Sequence, residues 1–206
     1  VGGIRKPGIY PDTQVPGFTP SGIVKKGKKV AYEMSLDQIE EMIEVYANDA
    51  KICEDLGFDG IEIHGAHGYL IDQFFWQETN QRTDYYGGSF DKRTNFAKNI
   101  ISNSKKSTSD NFIVGIRFSQ WKQQDYEAKI ANNVDELNQF ISELSKSSPD
   151  FFHTSMRRFW DPEFESSNLN LSACVKQLSK IPVIAVGSVG LDLSLIHISE
   201  PTRPLY

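Results

Sequence analysis

Apolar positions along the chain alternate between two periods. Ile39, Ile43, Tyr46, Ala50 and Cys53 recur at helical spacing behind Ser35-Leu36-Asp37-Gln38, a capping-box pattern, and Gly57 provides the stop. The run Phe58-Asp59-Gly60-Ile61-Glu62-Ile63 then reads as a buried strand. Ser89 is placed to cap a helix carrying Phe96, Ile100 and Ile101, and Phe112-Ile113-Val114-Gly115-Ile116-Arg117 reads as the next strand. Val134, Leu137, Phe140, Ile141 and Leu144 mark a further amphipathic helix, followed by a strand over 150–155. A weaker helix over 170–179 leads to a last strand at Pro182-Val183-Ile184-Ala185-Val186-Gly187.

Strands that are apolar throughout and alternate with helices indicate an α/β fold with a parallel sheet covered by helices. A doubly wound sheet and a TIM (β/α)8 barrel both fit. Chemistry-bearing residues at several strand ends favour the barrel, whose active sites collect there. Four strand–helix units are legible in 206 residues, where a closed barrel has eight, so the barrel is expected to be incomplete.

The first 34 residues are rich in Gly, Pro and Lys and read as a long loop with a short hairpin around Gly27. Lys25-Lys26-Gly27-Lys28-Lys29 reads as a solvated part of it, and a net charge of −5 gives no support for nucleic-acid binding. No apolar stretch approaches the roughly 20 residues that span a bilayer, and no secretory pattern opens the chain. A cytoplasmic protein without a membrane partner is expected. Cys53 and Cys174 are far apart and read as buried thiols rather than a disulfide framework.

Residues 62–69, Glu-Ile-His-Gly-Ala-His-Gly-Tyr, gather two imidazoles and a phenol beside a strand end. Three neutral donors in one turn suit a site that holds and protonates a developing oxyanion. Taken alone, a His-x-x-His pair also fits a metal site, completed by Glu62 as in a barrel hydrolase, or satisfied polar packing. The motif continues through Leu70-Ile71-Asp72-Gln73-Phe74-Phe75 and Asn80-Gln81-Arg82-Thr83-Asp84-Tyr85-Tyr86-Gly87-Gly88-Ser89. The whole run closely resembles the flavin-dependent ene-reductases of the Old Yellow Enzyme family.

That resemblance implies bound FMN, reduced by NADH or NADPH, passing hydride to the β-carbon of an activated alkene such as an enone, nitroalkene or dienoyl substrate. His64 and His67 match the pair that anchors the substrate oxygen, and Tyr69 matches the proton donor to the α-carbon. Arg117 matches a cation beside the flavin's N1/O2 edge. Gly187 and Ser188 match the start of the phosphate-binding region after the seventh barrel strand. No metal is implied. Asn80, Arg82, Thr83 and Asp84 are expected to be structural, pinning the excursion after the site, with Arg82 and Asp84 satisfying buried backbone groups. Met156-Arg157-Arg158-Phe159-Trp160 should line the site's mouth. Small-molecule alkenes are the expected partners, and homo-oligomerisation is left open.

The resemblance covers residues 1–192 and maps to the middle half of a family member, barrel strands four to seven. A fragment of this kind is expected to be inactive alone. Leu193-Ser194-Leu195-Ile196-His197-Ile198-Ser199-Glu200-Pro201-Thr202-Arg203 resembles the translation of a transposon-end adapter used in making sequencing libraries. Residues 193–206 are therefore expected to be a non-native tail.

Overall fold

A computed structural model describes residues 17–189. The expected tail at 193–206 lies outside the described residues, as does most of the first half of the N-terminal loop. Within that loop, β1 (Phe18–Thr19) pairs with β4 (Tyr32–Glu33), and β2 (Ile23–Lys25) forms a hairpin with β3 (Lys28–Lys29) around Gly27.

Helix α1 (Leu36–Asp55) starts at Ser35, whose hydroxyl accepts from Gln38 N–H while the Gln38 side chain accepts from Ser35 N–H. Both halves of the capping box are thus present, satisfying two donors that the helix itself cannot. Ile39, Ile43, Ala47 and Ala50 form its buried stripe. After it come β5 (Gly60–His67), α2 (Leu70–Phe75), α3 (Phe90–Arg93), α4 (Asn95–Ser107), β6 (Ile113–Lys122), α5 (Val134–Ser145), β7 (Phe152–Ser155), α6 (Leu171–Leu178) and β8 (Val183–Val186).

The four long-range strands form one sheet in the order β5-β6-β7-β8, every pair parallel. Successive side chains on a strand point to opposite faces. Ile63, Val114, Ile116, Phe118 and Phe152 are buried and pack with Phe96, Ile100, Leu137, Phe140, Ile141 and Val175 of the helices. The opposite face carries a row set by register, His64↔Arg117↔His153↔Ile184. This is a helix-covered parallel sheet forming part of a TIM barrel. The row His64–Ile184 lies on the face that a closed barrel turns inward.

Several boundaries differ from the sequence reading. The strand expected at 58–63 begins at Gly60 and runs on to His67, and Phe58 is 61% exposed rather than buried. Strand β6 extends to Lys122, well past Arg117. The helix expected from Ser89 is two: α3 ends at Arg93, Thr94 separates it from α4, and Ser89 makes no side-chain cap bond. In each case local periodicity marked the apolar core of the element, while pairing between strands or packing of a loop set its ends. Cys53 and Cys174 are free thiols; Cys174 is buried and Cys53 only half-buried.

Asn80 and Arg82 do what the sequence suggested. Asn80 Nδ2 donates to the carbonyls of Phe74 and Tyr86. Arg82 Nη1 donates to the carbonyls of Pro20 and Met34, at 2.7 and 2.6 Å, while its Nη2 pairs with Asp84. One guanidinium thereby ties the N-terminal loop to the stretch that follows the motif.

Candidate active site

Strand β5 carries the His-x-x-His motif inside the sheet rather than beyond it. His64 sits opposite Arg117, and the pairing shifts register between Gly65 and His67. The bend is completed by left-handed backbone at His67 (φ 62°) and Gly68 (φ 80°). A histidine there costs about 1–3 kcal/mol and persists only where its surroundings over-determine it. They do: Ser119 Oγ accepts from His67 N–H at 2.9 Å, and Asp72 Oδ2 accepts from Gly68 N–H at 2.6 Å. Asp72 Oδ1 in turn meets Lys122 Nζ, which also donates to the Ser119 carbonyl, both at 2.8 Å.

This turn brings the three candidate groups together. The His64 ring lies 5.3 Å from that of His67 and 5.4 Å from that of Tyr69, centroid to centroid. Tyr69 stands at the start of α2 and is 37% exposed. His67 stacks on Trp121 at 4.5 Å. Its Nε2 lies 2.8 Å from Ser155 Oγ, to which Arg117 Nη2 also donates at 3.0 Å. Arg117 therefore joins the cluster through a serine that the sequence reading did not single out. Arg117 Nε is buried and has no hydrogen-bond partner among the described residues.

Burial and a neighbouring cation favour the neutral form of both imidazoles. Burial, then the Arg117 charge, lower the His67 pKa to about 4. The same two causes lower that of His64. Neutral imidazole offers one donor and one acceptor, so which nitrogen holds the proton decides what each ring can bind.

Glu62 lies outside the cluster: its Oε2 pairs with His153 Nδ1 at 2.6 Å. Among the described residues no group of three His, Cys, Asp or Glu side chains is placed to hold a metal ion. Gly187 and Ser188 follow β8, both with positive φ, and are tied to the loop after β7. Phe159 N–H donates to the Gly187 carbonyl and Ser188 Oγ to that of Arg157. A Cβ at Gly187 would meet the Met156 carbonyl oxygen at 2.7 Å, so only glycine fits. The stack continues outward from Trp121 to Tyr126 and then to the Arg157 guanidinium, 4.4 Å over the Tyr126 ring. Trp121, Tyr126, Arg157 and Arg158 line a cavity of about 190 Å³ that reaches Ser155.

The profile of the NADH:flavin oxidoreductase / NADH oxidase family matches residues 8–201. The chain belongs to this family. It is the family of the Old Yellow Enzyme resemblance, with FMN as cofactor and NADH or NADPH as reductant. Among curated relatives, "Probable NADH-dependent flavin oxidoreductase YqiG" of Bacillus subtilis (strain 168) is 34% identical over 99% of this chain and 56% of its own length. The NADH:acrylate oxidoreductase of Vibrio harveyi is 30% identical over 83% of this chain and 18% of its own length. The chain thus spans about half the length of the first of these relatives. Morphinone reductase in complex with tetrahydroNAD shares the fold, with a TM-score of 0.74 and 22% identity over 93% of this chain and 55% of that one. An Old Yellow Enzyme homologue from Zymomonas mobilis superposes with the same TM-score. Among the described residues no helix of this chain is long and apolar enough to cross a membrane.

Proposed function

We propose that this family member reduces activated alkenes, with His64 and His67 holding the electron-withdrawing oxygen and Tyr69 protonating the α-carbon. The observation that carries the reading is the single cluster of two neutral imidazoles and a phenol, 5.3 and 5.4 Å apart, beside the Arg117 cation. Relatives named for acrylate and cinnamate, both conjugated alkenes, support the substrate class.

The residues present fit FMN. A buried guanidinium with an unfilled Nε donor suits the acceptor-rich pyrimidine edge of a flavin, and its fixed charge favours the reduced anionic ring. Gly187 and Ser188, in the turn just after β8, would offer backbone N–H groups to the phosphate. When bound, FMN supplies the hydride taken from NADH or NADPH.

The chain's own groups do the rest. Imidazole N–H donors bind the substrate oxygen and gain strength as it becomes an enolate, so they favour the transition state over the bound alkene. The Tyr69 phenol then gives its proton to the α-carbon as general acid. The stacked Trp121 holds the plane of the His67 ring.

Turnover is proposed for the closed barrel in which these strands sit, and this stretch alone is expected to hold FMN weakly. The test is NAD(P)H oxidation by the FMN-loaded barrel with and without 2-cyclohexenone. Oxidation that depends on the enone and is lost in His64→Ala/His67→Ala supports the reading. Enone reduction that survives loss of both histidines overturns it.

A further inference from the structure

Resting on that reading, we propose that Ser155 is a positioning residue that fixes the tautomer of His67, so that Nδ1 carries the proton offered to the substrate oxygen. Two contacts on one hydroxyl carry the inference. Arg117 Nη2 lies 3.0 Å from Ser155 Oγ and His67 Nε2 lies 2.8 Å from the same atom. A guanidinium can only donate, so Ser155 Oγ is an acceptor toward Arg117. The hydroxyl has one proton of its own to place. Among the described residues its only acceptor within reach is His67 Nε2.

The direction of the chain is therefore set from the cation outward: Arg117 donates to Ser155, and Ser155 donates to His67 Nε2. Accepting from a charged donor polarises the O–H bond and strengthens the second link. With Nε2 acting as the acceptor, a neutral His67 holds its proton on Nδ1, which has no protein partner among the described residues.

The consequence for chemistry is a change of sign rather than degree. An Nδ1–H stabilises a developing oxyanion; an unprotonated Nδ1 presents a lone pair to it and repels it. Ser155 decides between the two without touching substrate. Its placement is tightly held: it is 3% exposed, it pairs with Val186 across the sheet, and its carbonyl accepts from Trp121 Nε1 at 3.1 Å. Trp121 is the residue on which His67 stacks, so the ring's plane and its protonated nitrogen are both fixed from the β6–β7 side.

The test reads the tautomer directly, in the closed barrel and without substrate. Long-range 1H–15N spectra of histidine-labelled protein at neutral pH, assigned against His67→Gln, distinguish Nδ1–H from Nε2–H. The expected result is an Nδ1–H signal for His67, lost or mixed with Nε2–H in Ser155→Ala and restored in Ser155→Thr. A wild-type His67 protonated on Nε2, or a Ser155→Ala spectrum unchanged from wild type, overturns the inference. Because no turnover is measured, the tautomer assignment can fail while the alkene-reduction reading stands, and the reverse.

Discussion

Asp72 and Lys122 meet at 2.8 Å with neither side chain exposed to solvent at all. Burial raises the Asp72 pKa and lowers that of Lys122, and each charge is kept by the other. The pair locks the Gly68 turn to the end of β6, and so sets where His67 points. Breaking a buried pair by removing one partner costs about 3–5 kcal/mol, because the other charge is left uncompensated, whereas replacing both is far milder. Lys122→Met is expected to lose stability of that order in urea unfolding. Asp72→Asn/Lys122→Met should recover most of the loss.

His67 gives stability a pH dependence of defined sign. Its folded pKa of about 4 lies below the ordinary 6.5, mainly through burial. Between those values the unfolded chain binds the proton and the folded chain does not, so stability falls as pH drops through that window. Above it the contribution is complete and flat. Urea midpoints of wild type should decline more than those of His67→Gln between about pH 6.5 and about pH 4, and run parallel above.

Tyr69→Phe keeps the ring beside His64 and removes only the acid. Loss of a general acid typically costs about 10²–10⁴ in rate. Alkene reduction should fall within that range while reduction of the flavin by NAD(P)H is retained. Stopped-flow measurement of the two half-reactions separates them.

Arg117→Lys keeps the charge but loses the planar fork that reaches Ser155. A hydrogen bond to a charged group is worth about 1.5–3 kcal/mol. FMN affinity, followed by fluorescence quenching, should weaken about tenfold or more, since 1.4 kcal/mol is tenfold.

Gly68→Ala and Gly88→Ala form a matched pair. Both glycines have positive φ, at 80° and 102°, so each substitution carries backbone strain, about 1–2 kcal/mol for a left-handed residue. A Cβ at Gly68 would also lie 2.0 Å from Gln124 Oε1, whereas nothing stands within 4 Å of one at Gly88. Gln124 Nε2 donates to the Gly68 carbonyl, so displacing it loosens the turn. Thermal unfolding should shift in both variants, but only Gly68→Ala should impair substrate binding.

The sequence by itself determined the alternation of helices and strands, the capped start of α1 at Ser35, and the grouping of His64, His67 and Tyr69. These are local properties: helical period, a cap within three residues, and a motif within one turn. It also placed Arg117 on the strand that follows, and marked Asn80 and Arg82 as anchors of the excursion. The tertiary structure alone decided that Ser155, 88 residues from His67, holds its Nε2, and that Lys122, 50 residues from Asp72, buries a charge against it. It alone paired Glu62 with His153. The physical reason is register. In a parallel sheet each strand is separated from its neighbour by a helix, so the row His64–Arg117–His153 is set by pairing across the sheet and is invisible to any local pattern. A lone serine at a strand end carries no sequence signal, because its role depends wholly on which two side chains that register brings to its hydroxyl.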